Sequence, residues 1–106
     1  MKSYSLYLLL LCFNIQFGIC QVDLVGQVID ADTEEPLPYV NIGLVNQNIG
    51  TVTDEAGYFE LEVPKNGFAD ATLRFSMIGF EPQDFTLQEY RDQKILTIPL
   101  NEKATA

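Results

Sequence analysis

The sequence contains no histidine, and its two cysteines are Cys12 and Cys20. Without histidine the chain lacks the usual general base of a serine or cysteine triad and the commonest zinc ligand. Both cysteines lie within the first twenty residues, so the rest of the chain has no thiolate for catalysis, for metal binding or for an internal disulfide. We therefore expect neither enzyme activity nor a cofactor.

Basic residues are also scarce, with six lysine and arginine residues against fifteen aspartate and glutamate residues. Once Lys2 is removed with a leader, five basic and fifteen acidic side chains remain, which gives a net charge of −10. An acidic surface repels phosphate backbones and anionic lipid headgroups. We expect neither nucleic acid nor an anionic membrane surface as a partner, and the simplest role of the charge is to keep the domain soluble.

The longest apolar run extends from Leu6 to Phe13, and no run approaches the length of a membrane span. Lys2 precedes it, and the small residues Gly18 and Cys20 follow it, which is the order of a secretory signal peptide. A spanning helix would need about twenty apolar residues. The pattern predicts a signal peptide over residues 1–20 and an exported mature chain without a transmembrane segment.

Cys20 also allows a second interpretation, as the lipidated first residue of a bacterial lipoprotein. A cysteine at the end of an apolar run is where lipoprotein processing acts. Phe17 and Ile19 argue against it, because the positions just before such a cysteine usually hold leucine and then small residues. Cleavage after Cys20 is the favoured prediction and lipidation of Cys20 is the alternative.

The 86 residues that follow position 20 of the 106 are enough for one small domain. Alternating apolar and polar residues recur in short runs at intervals of about ten residues, with no sustained helical period. This pattern predicts an all-β fold, a seven-stranded antiparallel β-sandwich with two inner faces. The predicted strands are Val22–Asp30, Pro38–Leu44, Thr51–Thr53, Tyr58–Val63, Ala71–Ile78, Phe80–Leu87 and Lys94–Leu100, with at most a helical turn over Gln88–Asp92. The predicted inward residues include Val40, Phe59, Leu61, Phe75, Phe85, Leu87, Leu96, Ile98 and Leu100.

The clearest local signal is the stretch from Gly50 to Pro64, GTVTDEAGYFELEVP. Two runs of strand-forming residues flank a turn in which Asp54 can bond its own backbone and Gly57 can adopt a positive φ. The pattern predicts a tight hairpin.

Three segments, taken in order, resemble the carboxypeptidase-regulatory-like domain: GQVIDADTEEPLPYVNI (Gly26–Ile42), GTVTDEAGYFEL (Gly50–Leu61) and LRFSMIGFEP (Leu73–Pro82). The resemblance implies a prealbumin-like (transthyretin-like) sandwich over residues 21–100, with residues 101–106 as a tail or the start of a connector. Gly26, Asp54, Gly57 and Gly79 are then structural turn residues.

The resemblance also implies a function. Such domains occur as non-catalytic N-terminal extensions of TonB-dependent outer-membrane receptors, on the periplasmic side. We expect an exported interaction domain that binds a protein partner at the outer membrane. The alternative is the truncated front piece of a TonB-dependent nutrient transporter, because the sequence stops at Ala106 before any plug or barrel.

Two further ligands have to be weighed. A carbohydrate-binding module is an alternative, because rings at Tyr39, Tyr58, Phe68, Phe80 and Tyr90 are predicted to be partly exposed, although no tryptophan or tyrosine cluster marks a platform. Two acidic groupings, Asp30 to Glu35 and Asp54 with Glu55, suggest calcium only weakly, because their spacing does not match an EF-hand loop. Solvated acidic loops explain them better.

Pairing at an open strand edge is the expected mode of binding, since sandwich edges offer unpaired backbone groups to another chain. Tyr39 and Asn41 are the candidate contact residues, chosen for their predicted exposure.

Overall fold

The computed structural model describes residues 21–104, so the predicted signal peptide and its two cysteines lie outside the described residues. Segments in which apolar and polar residues alternate in the sequence form strands, and their side chains are alternately buried and exposed. In β4, for example, Phe59, Leu61 and Val63 are buried while the residues between them are exposed. In chain order the elements are β1 (Gln21–Asp30), β2 (Asn41–Leu44), β3 (Gly50–Val52), β4 (Tyr58–Pro64), β5 (Thr72–Ser76), β6 (Gln83–Thr86), α1 (Leu87–Asp92) and β7 (Thr97–Leu100).

The strands form two sheets, with strand order β4-β1-β7 in the first and β3-β2-β5-β6 in the second. The prediction of an all-β fold with two inner faces is confirmed. The prediction that all strands pair antiparallel is wrong at one place, because β1 and β7 run parallel, from Gln27 opposite Thr97 to Asp30 opposite Leu100. These two strands are the first and the last in the described chain, so no hairpin turn connects them and requires them to be antiparallel.

The core lies between the inner faces of the two sheets. Phe75 is at its centre, with its ring centroid 5.5 Å from that of Phe59, 6.0 Å from that of Phe85 and 6.1 Å from that of Tyr90. Phe59 and Phe85 meet the Phe75 ring edge to face, a geometry that stabilises a core beyond the area that it buries. The predicted core residues Val40, Phe59, Leu61, Phe75, Leu87, Ile98 and Leu100 are buried, and Phe85 packs against them partly buried.

The predicted hairpin around Asp54 is wrong, although the turn itself is present. β3 pairs with β2 in one sheet, and β4 pairs with β1 in the other. The turn therefore carries the chain from one sheet to the other. Turn residues fix the local reversal of the chain, but the partners of the flanking strands are set by burial elsewhere in the fold.

The end of the chain departs from the predicted pattern at two residues. Leu96 is 64% exposed, because β7 begins only at Thr97. Tyr90 is 3% exposed, because it lies on α1 one turn after Leu87, so both side chains face the core. The Thr86 hydroxyl accepts a hydrogen bond from Glu89 N (3.1 Å) and caps the start of this helix.

The Tyr90 hydroxyl donates to Val25 O at 3.1 Å. Val25 precedes the part of β1 that pairs with β7, which begins at Gln27 opposite Thr97. The Tyr90 hydroxyl therefore bonds a carbonyl that has no partner in β7. Within residues 21–104, no helix approaches the length and apolar content that crossing a membrane requires.

Candidate functional site

The Asp54–Gly57 turn is held by its own backbone and by the Asp54 carboxylate. Asp54 Oδ1 accepts from Ala56 N and from Tyr58 N, each at 2.9 Å, and Gly57 N donates to Asp54 O at 3.0 Å. Gly57 has φ +81°, and a Cβ at this position would lie 2.6 Å from Val28 O. Only glycine fits both the conformation and the space. The turn is therefore pressed against β1.

Thr53, just before this turn, bonds the end of β3 to the segment that leads into β2. Its buried hydroxyl donates to Leu37 O (2.7 Å) and accepts from Val40 N (2.9 Å). Thr53 N also donates to Val40 O, and Tyr39 N donates to Thr53 O. Between these bonds Tyr39 adopts φ +61°, a left-handed conformation that is rare for an aromatic residue, and its side chain is 63% exposed. The Thr53 bonds thus hold Tyr39 out from the surface.

A cleft of about 570 Å³ lies between the edges of β3 and β4. A second groove of about 310 Å³ runs along the outer face of the first sheet, and Tyr58 and Phe59 line both of them. The exposed apolar residues around the two form what we call the apolar strip: Val25, Tyr39, Val52, Tyr58 and Leu96. In the described part of the chain, the one other exposed large apolar side chain is Ile78, which is 99% exposed and lies apart from these grooves. Exposed apolar surface gathered in this way is typical of an interaction site.

Carboxylates surround the apolar strip. Glu60 and Glu62 alternate with the buried residues of β4, and Glu62 lies opposite the exposed Asp23 of β1. Asp54 lines the cleft. The salt bridge found within residues 21–104 is elsewhere, between Arg74 and Asp84. Like charges opposite each other on neighbouring strands are unfavourable, so this face attracts cations.

The outer face of the second sheet carries a third groove, of about 620 Å³. Its floor is the pair Gly43 and Gly50, and Arg74 stands beside it. Two hydrogen bonds of 2.9 Å join the Arg74 guanidinium to Asp84, which hold the pKa of the Asp84 carboxyl below its usual value. Since Arg74 is already neutralised by Asp84, this groove has little net charge to attract an ion.

The structure separates the two contact residues that the sequence predicts. Tyr39 lines the cleft between β3 and β4, whereas Asn41 lies on the outer face of the second sheet. Of the five rings predicted to be partly exposed, Tyr39 and Tyr58 are exposed, Phe68 and Phe80 pack partly buried against the core, and Tyr90 is buried.

The predicted turn glycines have different roles in the structure. Gly79 has φ +92° and lies in a turn after β5, where its carbonyl accepts from Lys103 N at 2.9 Å. Gly26 lies within β1 and not in a turn. A Cβ on Gly26 would lie 2.8 Å from Phe59 Cε1 and 3.0 Å from the Tyr90 hydroxyl, so glycine makes room for these two rings.

The acidic loop after β1 uses its first carboxylate internally. The buried Asp30 accepts from Asp32 N (2.8 Å) and Thr33 N (3.3 Å), and the Thr33 hydroxyl accepts from Glu35 N. In residues 21–104 the acidic side chains form no group of three or more with metal-binding geometry. The side chains of Asp30 and Thr33 thus stabilise the turn by accepting hydrogen bonds from the backbone of the loop itself.

The family follows from comparison of the whole sequence. A family profile described as the CarboxypepD_reg-like domain matches residues 24–106, which include most of β1 and every later strand. The chain belongs to the CarboxypepD_reg-like domain family. The comparison confirms the resemblance seen in the three sequence segments. Searches among curated proteins and among solved structures gave no significant match.

Membership of the CarboxypepD_reg-like family agrees with the chemistry of the site. Such domains are regulatory and non-catalytic, and the cleft offers backbone edges, two tyrosine rings and carboxylates. Asp84, whose pKa is lowered by its hydrogen bonds from Arg74, and Tyr90, whose burial raises its pKa to about 12, both lie outside the cleft.

Sequence reasoning missed Thr53 and the cleft. Thr53 reads as an ordinary β-branched strand residue, and its partners Leu37 and Val40 are more than ten positions away. The cleft depends on β3 and β4 belonging to different sheets, which the turn sequence does not reveal.

Proposed function

We propose that this chain is an exported, non-catalytic docking domain that binds a protein partner at the periplasmic face of the outer membrane. Its two sheets take the seven-stranded, prealbumin-like arrangement that the family resemblance implies. Three lines support the proposal: the CarboxypepD_reg-like family match, the leader pattern of residues 1–20, and the acidic surface with its apolar strip.

The cleft between β3 and β4 is the observation that carries the docking role. Tyr39 and Tyr58 line it from two different elements, and both are more than half exposed. Exposed tyrosines contribute a large, fairly rigid contact area at small cost in conformational entropy, which is why they are enriched at interfaces.

Site-specific photo-cross-linking in the native cell tests docking. We expect a photo-reactive phenylalanine analogue at Tyr58 to give a discrete, larger product after irradiation. The same analogue at Gln88, an exposed position on α1 next to β6, is the control and gives none. Equal products from the two positions, or none from Tyr58, would contradict a docking role for the cleft.

The intact mass of the native product in an outer-membrane fraction tests export and location. We expect loss of residues 1–20, and a diacyl or triacyl increment on Cys20 would identify an anchored lipoprotein at the same membrane. A product that retains its leader and stays in the cytoplasm contradicts the proposal. A much larger product would favour the alternative, the front piece of a TonB-dependent transporter.

A carbohydrate-binding module is the second candidate function. It is favoured by the placement of the Tyr39 and Tyr58 rings on one cleft, since sugars stack on exposed rings. Saturable retardation in polysaccharide gels, lost in Tyr58→Ala, would support this candidate over protein docking.

A further inference from the structure

β4 has an open backbone edge. It lies at the end of the first sheet, with β1 as its one strand partner among the described residues. Tyr58 N donates to the Asp54 carboxylate and Tyr58 O accepts from Asp54 N, so both backbone groups of Tyr58 point away from β1. Backbone groups alternate along an antiparallel strand, and those of Glu60 and Glu62 therefore point the same way. Two successive N–H and C=O pairs are thus available to another strand.

An added strand would have two chemically different faces. Its residues beside Glu60 and Glu62 share the outer face of the first sheet with Asp23, which lies opposite Glu62 and adds a third carboxylate to that face. Its intervening residues point the other way, into the cleft lined by Tyr39, Val52 and Phe59. The positions beside the carboxylates therefore favour basic side chains in the added strand, and the positions that face the cleft favour apolar side chains.

A second copy of this chain does not suit the site. Pairing β4 with β4 would bring the glutamates of one copy beside those of the other, and the domain as a whole is strongly acidic. Charged residues on an edge strand are a known defence against such self-pairing. That defence does not account for the exposed Tyr58 or for the left-handed Tyr39, both of which line the cleft at this edge.

We propose that β4 receives an extended segment of a partner protein in which lysine or arginine alternates with aromatic or large aliphatic residues. The segment adds as a strand to the first sheet, with its basic side chains beside Glu60 and Glu62 and its apolar side chains in the β3–β4 cleft. This inference rests on the proposed docking function and specifies its partner. Because the backbone groups of Tyr58 are already bonded to Asp54, the segment pairs with the rest of β4, from Phe59 to Pro64.

The probe is a synthetic peptide with the sequence Lys-Val-Lys-Tyr-Lys-Val, with a fluorophore blocking one end and an amide blocking the other. The purified protein is titrated into the peptide, and the fluorescence anisotropy of the peptide reports binding. We expect saturable binding that weakens as salt rises from about 0.05 M to about 0.5 M, because exposed charge pairs are screened. A peptide with glutamate in place of each lysine tests charge, and a peptide with its lysines moved together tests the alternation. Neither control peptide is expected to bind.

The paired substitutions Glu60→Gln and Glu62→Gln keep the shape of β4 and remove two charges. We expect them to weaken binding by about three- to thirtyfold, as for two partly exposed ion pairs. The control is the pair Glu89→Gln and Asp92→Asn on α1, which removes the same charge at two exposed positions and should leave binding unchanged.

The outcomes separate this inference from the proposed function. Equal loss of binding in both pairs of variants, equal binding of the glutamate peptide, or a concentration-dependent dimer that occupies the site would overturn the basic-segment proposal. A cross-linked product at Tyr58 without binding of the lysine peptide would also overturn it and would leave the docking function intact. Binding of the lysine peptide alone, weakened only by the β4 pair, is the expected result.

Discussion

Replacement of Thr53 by valine keeps the shape of a buried side chain and removes its hydroxyl. Thr53 is 1% exposed, and its hydroxyl bonds Leu37 O and Val40 N, which are themselves on buried residues. Valine leaves one carbonyl and one N–H without these partners. A buried polar group that loses its partner costs about 1–3 kcal/mol, so Thr53→Val should lower the free energy of unfolding by about 2–4 kcal/mol.

The serine variant is the matched control. Thr53→Ser keeps both hydrogen bonds and loses one methyl group, which costs about 1 kcal/mol of burial. A scale of hydrophobicity or β-propensity ranks valine above serine at a buried strand end, whereas the hydrogen-bond argument ranks serine above valine. The two arguments therefore make opposite predictions.

Urea denaturation followed by circular dichroism measures the effect, and thermal melting gives a second reading. For a domain of this size, 1 kcal/mol corresponds to about 4–8 °C in Tm, so the valine variant should melt about 10–25 °C below the parent. A valine variant as stable as the serine variant, or more stable, would refute the role given to the Thr53 hydroxyl. It would also remove the reason given for the position of Tyr39.

Two other substitutions test the packing around β1. Gly26→Ala should lower stability by about 1–3 kcal/mol in urea denaturation, because its Cβ would contact the Phe59 ring and the Tyr90 hydroxyl, and an unchanged midpoint would show that the rings move aside. Tyr90 has its pKa raised by burial from 10.0 to about 12, so its neutral form is favoured in the folded state. The resulting stability is fully present below pH 10 and is lost as the pH rises through 12, by about 2–3 kcal/mol. Tyr90→Phe should remove that part of the pH dependence and cost about 1 kcal/mol at neutral pH through the lost bond to Val25 O; an unaltered alkaline slope would contradict this assignment.

Strand positions were predictable because burial on a sheet imposes a period of two. The alternation in β4 is plain in the sequence and reappears residue by residue in its burial. The turn was predictable for a similar local reason, since Asp54 and Gly57 supply the side-chain bonds and the positive φ that it needs.

Strand partners were not predictable from the same local signals. β3 and β4 are predicted to form a hairpin because they flank a tight turn, yet β3 pairs with the preceding strand β2 and β4 pairs with the distant strand β1. The parallel pairing of β1 with β7 is likewise set by the topology of the whole chain. Tyr90 looked exposed because it lies in a polar stretch, and only the packing of α1 places it in the core.

In the candidate site, too, single exposed residues were predictable from the sequence and their neighbours in space were not. Tyr39 is predicted as a contact residue from its expected exposure, whereas its neighbours across the cleft follow from the separation of β3 and β4 into two sheets. Asn41 is only two positions away but belongs to a different face of the molecule. Proximity in sequence along an extended chain does not mean proximity at a binding surface.

Amide hydrogen exchange along β4, followed by NMR with and without the lysine peptide, tests the central claim most directly. In the protein alone we expect the amides of Phe59 and Leu61, which face β1, to be protected, while those of Glu60 and Glu62 exchange quickly. Added peptide should slow exchange at Glu60 and Glu62. Strong protection of these two amides in the protein alone would mean that the edge is already covered, and unchanged fast exchange at saturating peptide would mean that no strand is added there.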